Sequence, residues 1–519
     1  MLSRGSDQDD NADQDDNADS DRPGGSDRPG GSDEPAEGSL TARQRRRLTR
    51  RPSDRAMIAT LATGGLIAAF MQTLVTPVIP ELPRLLSTNL ADSSWVLIAT
   101  LLAAAITTPI SGRLGDMYGK RFIVLVLLSI MTIGSVVCAL SDTFIPMIIG
   151  RSLQGVGLGV IALGISVLRD VIHPKSLSAA VAIVSATLGV GGALGLPLAA
   201  VIAENLDWHY LFWLAALFGV LATVLVAWII PVSTLRSAGR FDFVGSAVFA
   251  VALVGILLAV SKGGEWGWSS LLTLGMLGGG LLLLVVWALF ELKTRDPLID
   301  LRVAARRPVL LTNLASITVG FAFFITTAAL PVLLEAPTAT GVGLGQSLLV
   351  ASLCLMPLGI VMFLLSPVAA RLSNARGPRT SLILGSAVIA VSFALGTVLM
   401  SEVWHIILIS TLVGVGVGFA YAAMPTLIMH SVPPSETAAA NGLNSVMRTL
   451  GSTIAASVVG LILSSEYLRS GGIDIPTTGA FRLVFALGAG VVLVGVVIAF
   501  FIPRHDRRYE DTASIPVQH

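Results

Sequence analysis

A chain of 519 residues that is 53% hydrophobic and only 13% charged is not composed like a soluble globular protein, where roughly a quarter of residues are charged. Its net charge of +1 gives no reason to expect a nucleic-acid partner, and its two cysteines, Cys138 and Cys354, fall in separate apolar runs, so neither a disulfide nor a thiolate metal site is indicated. With a mean hydropathy of +0.79, an all-α membrane protein is predicted.

Residues 1–42 form an acidic tail with near-tandem repeats, too polar and too rich in Pro and Gly to bury a core, so disorder is predicted there. The tail lacks the basic start and apolar run of a signal peptide. Residues 43–56 are basic, carrying Arg43, Arg45, Arg46, Arg47, Arg50, Arg51 and Arg55. This segment reads first as a topology signal. The other reading is attraction to anionic membrane lipids, about 1 kcal/mol per residue near the surface.

Fourteen spans follow, each near the ~20 residues that cross a bilayer. Their expected limits are 57–80, 93–111, 122–140, 144–168, 177–203, 208–231, 243–261, 270–290, 309–334, 347–370, 380–400, 404–429, 443–464 and 480–502. With the N-terminus inside, the inner loops collect Arg113, Lys120, Arg121, Arg169, Lys175, Arg236 and Arg240 and the basic residues after them, whereas the outer loops hold Arg84, Lys262, Arg469 and Arg482. This asymmetry predicts an even span count with both termini cytoplasmic; the cell membrane of a bacterium is the expected location.

Between the second and third spans lies Gly112-Arg113-Leu114-Gly115-Asp116-Met117-Tyr118-Gly119-Lys120-Arg121, read as a short charged turn. It resembles the loop signature of the major facilitator superfamily, G-x-L-a-D-r-x-G-r-k. A worn copy, Ala370 to Arg379 with Asn374 in place of the acid, occupies the matching position of a second half. The resemblance implies two six-helix bundles related by a pseudo-two-fold axis, here 57–231 and 309–503. Two linking spans and an inner loop (232–308) separate them, and 504–519 is a cytoplasmic tail. Trp208-His209-Tyr210-Leu211-Phe212 and Glu265-Trp266-Gly267-Trp268 are similar to motifs of the fourteen-span drug:proton antiporter branch.

The same resemblance assigns candidate roles. Gly112, Gly115, Asp116, Gly119, Lys120 and Arg121 become a conformational latch. In it Asp116 accepts the free N–H groups at the start of the thirteenth span, expected near Asn441-Gly442-Leu443. For Lys120 and Arg121, plain inside charge is the equal alternative. Gly150 to Gly157 resembles a motif that places Arg151 in substrate binding or proton relay; a snorkelling arginine is the other reading. Gly189, Gly191, Gly192, Gly195 and Pro197 resemble an antiporter motif imperfectly, since the proline falls one place late. They are either a gating helix, with Gly191, Gly195 and Pro197 as its key positions, or simple close packing. Cavity-lining candidates from the first, fourth, ninth and twelfth spans are Gln72, Thr73, Thr76, Gln154, Phe321, Phe324, Thr327, Tyr421 and Met424. Arg448, read as opening the thirteenth span, is taken as structural.

One departure bears on coupling. Met71 stands where the branch carries an aspartate, and no span has an acid at its middle. The nearest titratable candidate is Glu81, read as facing Arg151 in a relay or, preferably, an outer-gate salt bridge. The leading expectation is therefore a monomeric exporter of hydrophobic or amphipathic small molecules, driven by proton exchange and needing no cofactor. The alternatives are a specific metabolite or lipid transporter without coupling, and a non-transporting membrane sensor. An enzyme is not expected: no metal cluster, nucleotide loop or nucleophile–base pair is visible, and His173, His209, His405 and His430 sit near span ends.

Overall fold

A computed structural model describes residues 52–503 except 77, 79–81, 89–93, 233–235, 238, 339–341, 466 and 471–472. The acidic tail, the basic segment before Pro52 and the C-terminal tail lie outside the described residues, as does Glu81.

Among the described residues there are fourteen candidate spans, counting the bent pair in α10 as one: α1 (Asp54–Thr73), α2 (Trp95–Tyr118), α3 (Lys120–Ala139), α4 (Phe144–Val171), α5 (Pro174–Asn205), α6 (His209–Ile229), α7 (Phe243–Trp266), α8 (Leu271–Glu291), α9 (Arg307–Glu335), α10 (Leu348–Leu364 with Ser366–Arg376), α11 (Pro378–Gly396), α12 (Val403–Met429), α13 (Thr437–Ser465) and α14 (Thr478–Phe500). Thirteen are long and apolar enough to cross a bilayer without a sharp bend; α10 is bent by 43°. A two-stranded antiparallel hairpin, β1 (Tyr467–Ser470) and β2 (Ile473–Pro476), joins α13 to α14 and interrupts the otherwise helical pattern.

Several ends differ from the sequence reading, each for a local reason. Ser53 caps α1 by accepting from Ala56 N–H, with Asp54 in the first turn. The helix stops at Thr73, short of the predicted residue 80, because Pro77, Pro80 and Pro83 follow. The α4 helix is interrupted at Leu158 and Gly159. The 112–118 segment, read as a turn, is the last two turns of α2. Gly112, Arg113, Gly115 and Asp116 within it are buried, so its backbone polar groups are best satisfied by continuing the helix. One residue reverses the chain: Gly119, at φ 108°, a conformation that a side chain opposes. Gly377, at φ 86°, does the same between α10 and α11, at the equivalent place of the second half.

The repeat is also visible in the packing. In the first half α1 packs on α5 and α6, α3 on α4 and α6, and α2 on α4; in the second, α9 packs on α13 and α14, α11 on α12 and α14, and α10 on α12. Each half has its own apolar core. The halves meet along two equivalent seams, α2 against α13 and α5 against α10. Both are made of small residues: a Cβ on Gly112 would lie 2.6 Å from Ala438 O, and one on Gly359 would lie 2.0 Å from Gly189 O. The linking pair α7–α8 packs on itself and then on α2 and α13, through Phe249, Leu253, Leu257 and Trp287 with Ala105, Leu443 and Val446.

Candidate functional site

At the end of the bundle where α2 turns into α3, a charged cluster joins the two halves. Asp116 accepts from the N–H groups of Ala438 (3.4 Å) and Ala439 (3.0 Å). These are first-turn donors of α13, which have no helical acceptors and lie at the positive end of the dipole. Gly112 allows the close approach, and Gly115 lies against Leu163 of α4. Lys120 Nζ is 2.9 Å from Asp170 and 3.7 Å from Asp116, all three side chains being buried, and Arg169 adds a second positive charge near both carboxylates. Arg121 donates instead to Ala227 O at the end of α6, bracing the first half from outside.

Further bonds cross the same seam. Arg169, at the end of α4, donates to Thr437 Oγ1 (2.6 Å) and to Val432 O (3.2 Å). Asn441 Nδ2 donates to Ser166 Oγ (3.3 Å), while its Oδ1 is buried without a partner among the described residues. Because α13 begins at Thr437, about one and a half turns earlier than expected, the Asp116 contact falls on Ala438 and Ala439, ahead of Asn441.

Deeper in the first half, Arg151 is fully buried. It donates to Val96 O (3.2 Å), Met71 O (3.3 Å) and Gln154 Oε1 (2.7 Å), and Gln154 donates to Ser135 Oγ (2.8 Å). The planar guanidinium thereby ties α4 to α1 and α2 through neutral oxygens. Met71 sits inside this network, and Ser135 Oγ contacts its sulfur at 3.8 Å.

The second half holds a counterpart that the sequence reading missed. Asn444 donates to Asn313 Oδ1 (3.0 Å) and Ser316 Oγ (2.6 Å), and Ser316 contacts Met424 Sδ (3.2 Å). One turn further along α13, Arg448 lies over the Tyr421 ring at 4.9 Å and donates to Ser445 Oγ at 2.8 Å. It does not open its span. It is eleven residues beyond Thr437, about 16 Å along the helix axis. The signal that could have found it is the polar run Asn441, Asn444, Ser445 and Arg448 inside an otherwise apolar helix.

The other candidates separate by position. Gln72, Phe324 and Thr327 are half-buried, whereas Phe321 and Met424 are core residues. Thr73 bonds its own helix, and Thr76 lies beyond the end of α1, exposed. Gly191 and Gly195 face α1 of their own half, at Ala69 and Thr73, while Gly189 touches α10 across the seam. Pro197 sits within a continuous α5.

At the opposite end, Asp207 accepts from the backbone N–H (2.8 Å) and ring Nδ1 (2.5 Å) of His209, which hold its carboxyl below the usual carboxylate range. Among the described residues no group of three His, Cys, Asp or Glu could hold a metal.

Comparison with known proteins places this architecture. The family model described as Major Facilitator Superfamily matches residues 61–456 and again 312–516. The chain belongs to the major facilitator superfamily. Among curated members of this superfamily it is 23% identical to Multidrug resistance protein 3 of Bacillus subtilis (strain 168), over 80% of each chain. It is 25% identical to the Lincomycin resistance protein LmrB of Listeria monocytogenes, over 86% of this chain and 96% of that one. The multidrug resistance protein Stp of Mycobacterium tuberculosis is also 25% identical, over 79% of this chain and 76% of Stp. The crystal structure of the human organic anion transporter MFSD10 (TETRAN) superposes with a TM-score of 0.62 at 15% identity, covering 86% of this chain and all of that one, and so shares the fold. The protein is thus a multi-pass membrane transporter of this superfamily.

Proposed function

We propose that the protein exports hydrophobic or amphipathic small molecules by alternating access, its two halves rocking about the seams α2/α13 and α5/α10. The observation that carries this reading is the bond of Asp116 to the first turn of α13. A carboxylate on a helix N-terminus is worth roughly 0.3–2 kcal/mol, enough to favour one state without locking it. The printed names of relatives, multidrug and lincomycin resistance proteins, support export as the direction. In this reading the Asp116 end is cytoplasmic, both termini are cytoplasmic, the protein works as a monomer, and it transports rather than catalyses.

Proton exchange is the proposed driving force. A second reading, a specific metabolite or lipid transporter without coupling, is favoured by Met71. That residue lies in a network of neutral oxygens and one arginine, where the drug:proton branch carries an acid. Uptake and efflux in vesicles with an imposed pH gradient, using cationic, neutral and anionic dyes, decides between them. Gradient-dependent efflux of several dyes supports the first reading; transport that ignores the gradient supports the second. Deleting residues 2–38 should leave transport intact, whereas a sensor working through that tail would lose its response.

A further inference from the structure

Among the described residues, the membrane interior of this protein holds positive charge with no acid to match it. The helices that build the two halves' facing surfaces, α1, α2, α4, α5, α9, α10, α12 and α13, have carboxylates only near their ends, such as Asp54, Asp116, Asp170, Glu204 and Glu335. Two arginines lie well inside. Arg151 is fully buried; its Nε and Nη1 donate to backbone carbonyls and Gln154, and its Nη2 has no hydrogen-bond partner among the described residues. Arg448 is different: it is half-buried, and its one hydrogen-bond acceptor among the described residues is Ser445 Oγ. A guanidinium carries five N–H donors.

Where Arg448 faces follows from the helix period. Asn441, Ser445 and Arg448 lie four and three residues apart, on one face of α13. Asn441 on that face reaches Ser166 of α4, in the opposite half. The face therefore looks toward the interior between the halves. Around Arg448 are Tyr421 beneath it, Phe323 beside Tyr421 at 6.0 Å, and the neutral Asn313–Asn444–Ser316 cluster one turn away. A charge held at this depth is costly unless it is paired, so an unpaired one marks a place for a ligand. The site offers a cation with free donors at one end and aromatic surface at the other.

We infer that Arg448, Tyr421 and Phe323 form a recognition site for amphipathic organic anions: an aromatic or aliphatic body bearing a carboxylate or sulfonate that pairs with the Arg448 guanidinium. The inference rests on the transport reading and gives it a substrate class. It also explains how the chain can lack a first-span acid, since an anion needs no acidic counter-charge.

The test is binding to the full-length protein in nanodiscs of uncharged lipid, with protein-free discs subtracted. The probes are anilinonaphthalene sulfonate, phenylnaphthylamine (which lacks the sulfonate) and a cationic rhodamine ester. The wild-type protein should bind the sulfonate at least tenfold more tightly than the neutral amine, and the cation most weakly. Equal or tighter binding of the amine or the cation overturns the inference with no variant needed. Arg448→Gln should cut the sulfonate-to-amine affinity ratio at least tenfold; an unchanged ratio in folded Arg448→Gln overturns it. Efflux from proteoliposomes separates the two levels. Selective binding without export of any probe removes the transport reading and leaves the anion site standing. Export of all probes without binding preference does the reverse.

Discussion

At the scale of single residues, the chemistry rests on where charge is buried and what answers it. Asp116 is held by two backbone donors from the other half and by Lys120, so its charge, rather than its size, makes the contact. Asp116→Asn keeps the shape but turns an amide NH₂ or a weaker acceptor toward the α13 donors. Transport is expected to fall several-fold with near-normal expression, measured as initial efflux rate per unit of protein in the membrane. Full activity would show that the contact does not bias the cycle. Asp207 behaves differently. Its carboxyl is lowered by bonds from His209, so its contribution to the α5–α6 turn is complete above the ordinary carboxylate range and is lost as pH falls through its lowered value. Hydrogen exchange across residues 205–210, corrected for its intrinsic pH dependence, should show constant protection from neutral pH down to that range and lose it below. Asp207→Asn should accelerate it at neutral pH.

At the scale of elements, the seams between halves depend on missing side chains. A Cβ on Gly359 would meet the Gly189 carbonyl at 2.0 Å, a backbone atom that cannot swing aside. Gly359→Ala should therefore abolish most transport and lower the apparent Tm in detergent. Gly278→Ala on α8, where nothing lies within 4 Å, should change neither. Equal effects from the two would show that the seam is looser than its geometry. The elements themselves were largely legible, because apolar runs of span length announce membrane helices; the end of α1 was placed seven residues late, at 80 rather than 73, since Pro77 and Pro80 stop the helix before the apolar run ends. The start of α13 was not legible. Thr437, Ala438, Asn441 and Asn444 are buried against protein, not lipid, so hydropathy does not mark them as part of a span. A start at Leu443 would place Arg448 near the membrane surface, whereas the start at Thr437 places it inside. The Asp116 partner was legible only through the family resemblance, because the contact joins residues more than 300 positions apart. The Arg151–Gln154 bond, between residues three apart on one helix, was within reach of sequence spacing.

At the scale of the whole molecule, sidedness can be checked with exposed positions. Cysteines at Lys175 and Arg240 should react from the cytoplasm, and cysteines at Asp142 and Ser401 from outside, all four residues being exposed. Ser141 is unsuitable because it is buried. Labelling of 142 and 175 from the same side would contradict the fourteen-span order. The two-fold plan of the halves is broken in one respect. The linking pair α7–α8 lies along only one of the two seams, with α7 packed on both α2 and α13, tied to the start of α2 through Lys262 and Ser94 and to α13 through Ser457 and the Val260 carbonyl. The other seam has no such cover among the described residues, and Leu194, Leu198, Leu353, Ile360 and Phe363 stand exposed on its two helices. Lipid thus meets a covered seam on one side of the protein and uncovered seam helices on the other. The two flanks of the molecule therefore offer the bilayer unlike surfaces, an added helix pair on one side and the seam helices themselves on the other.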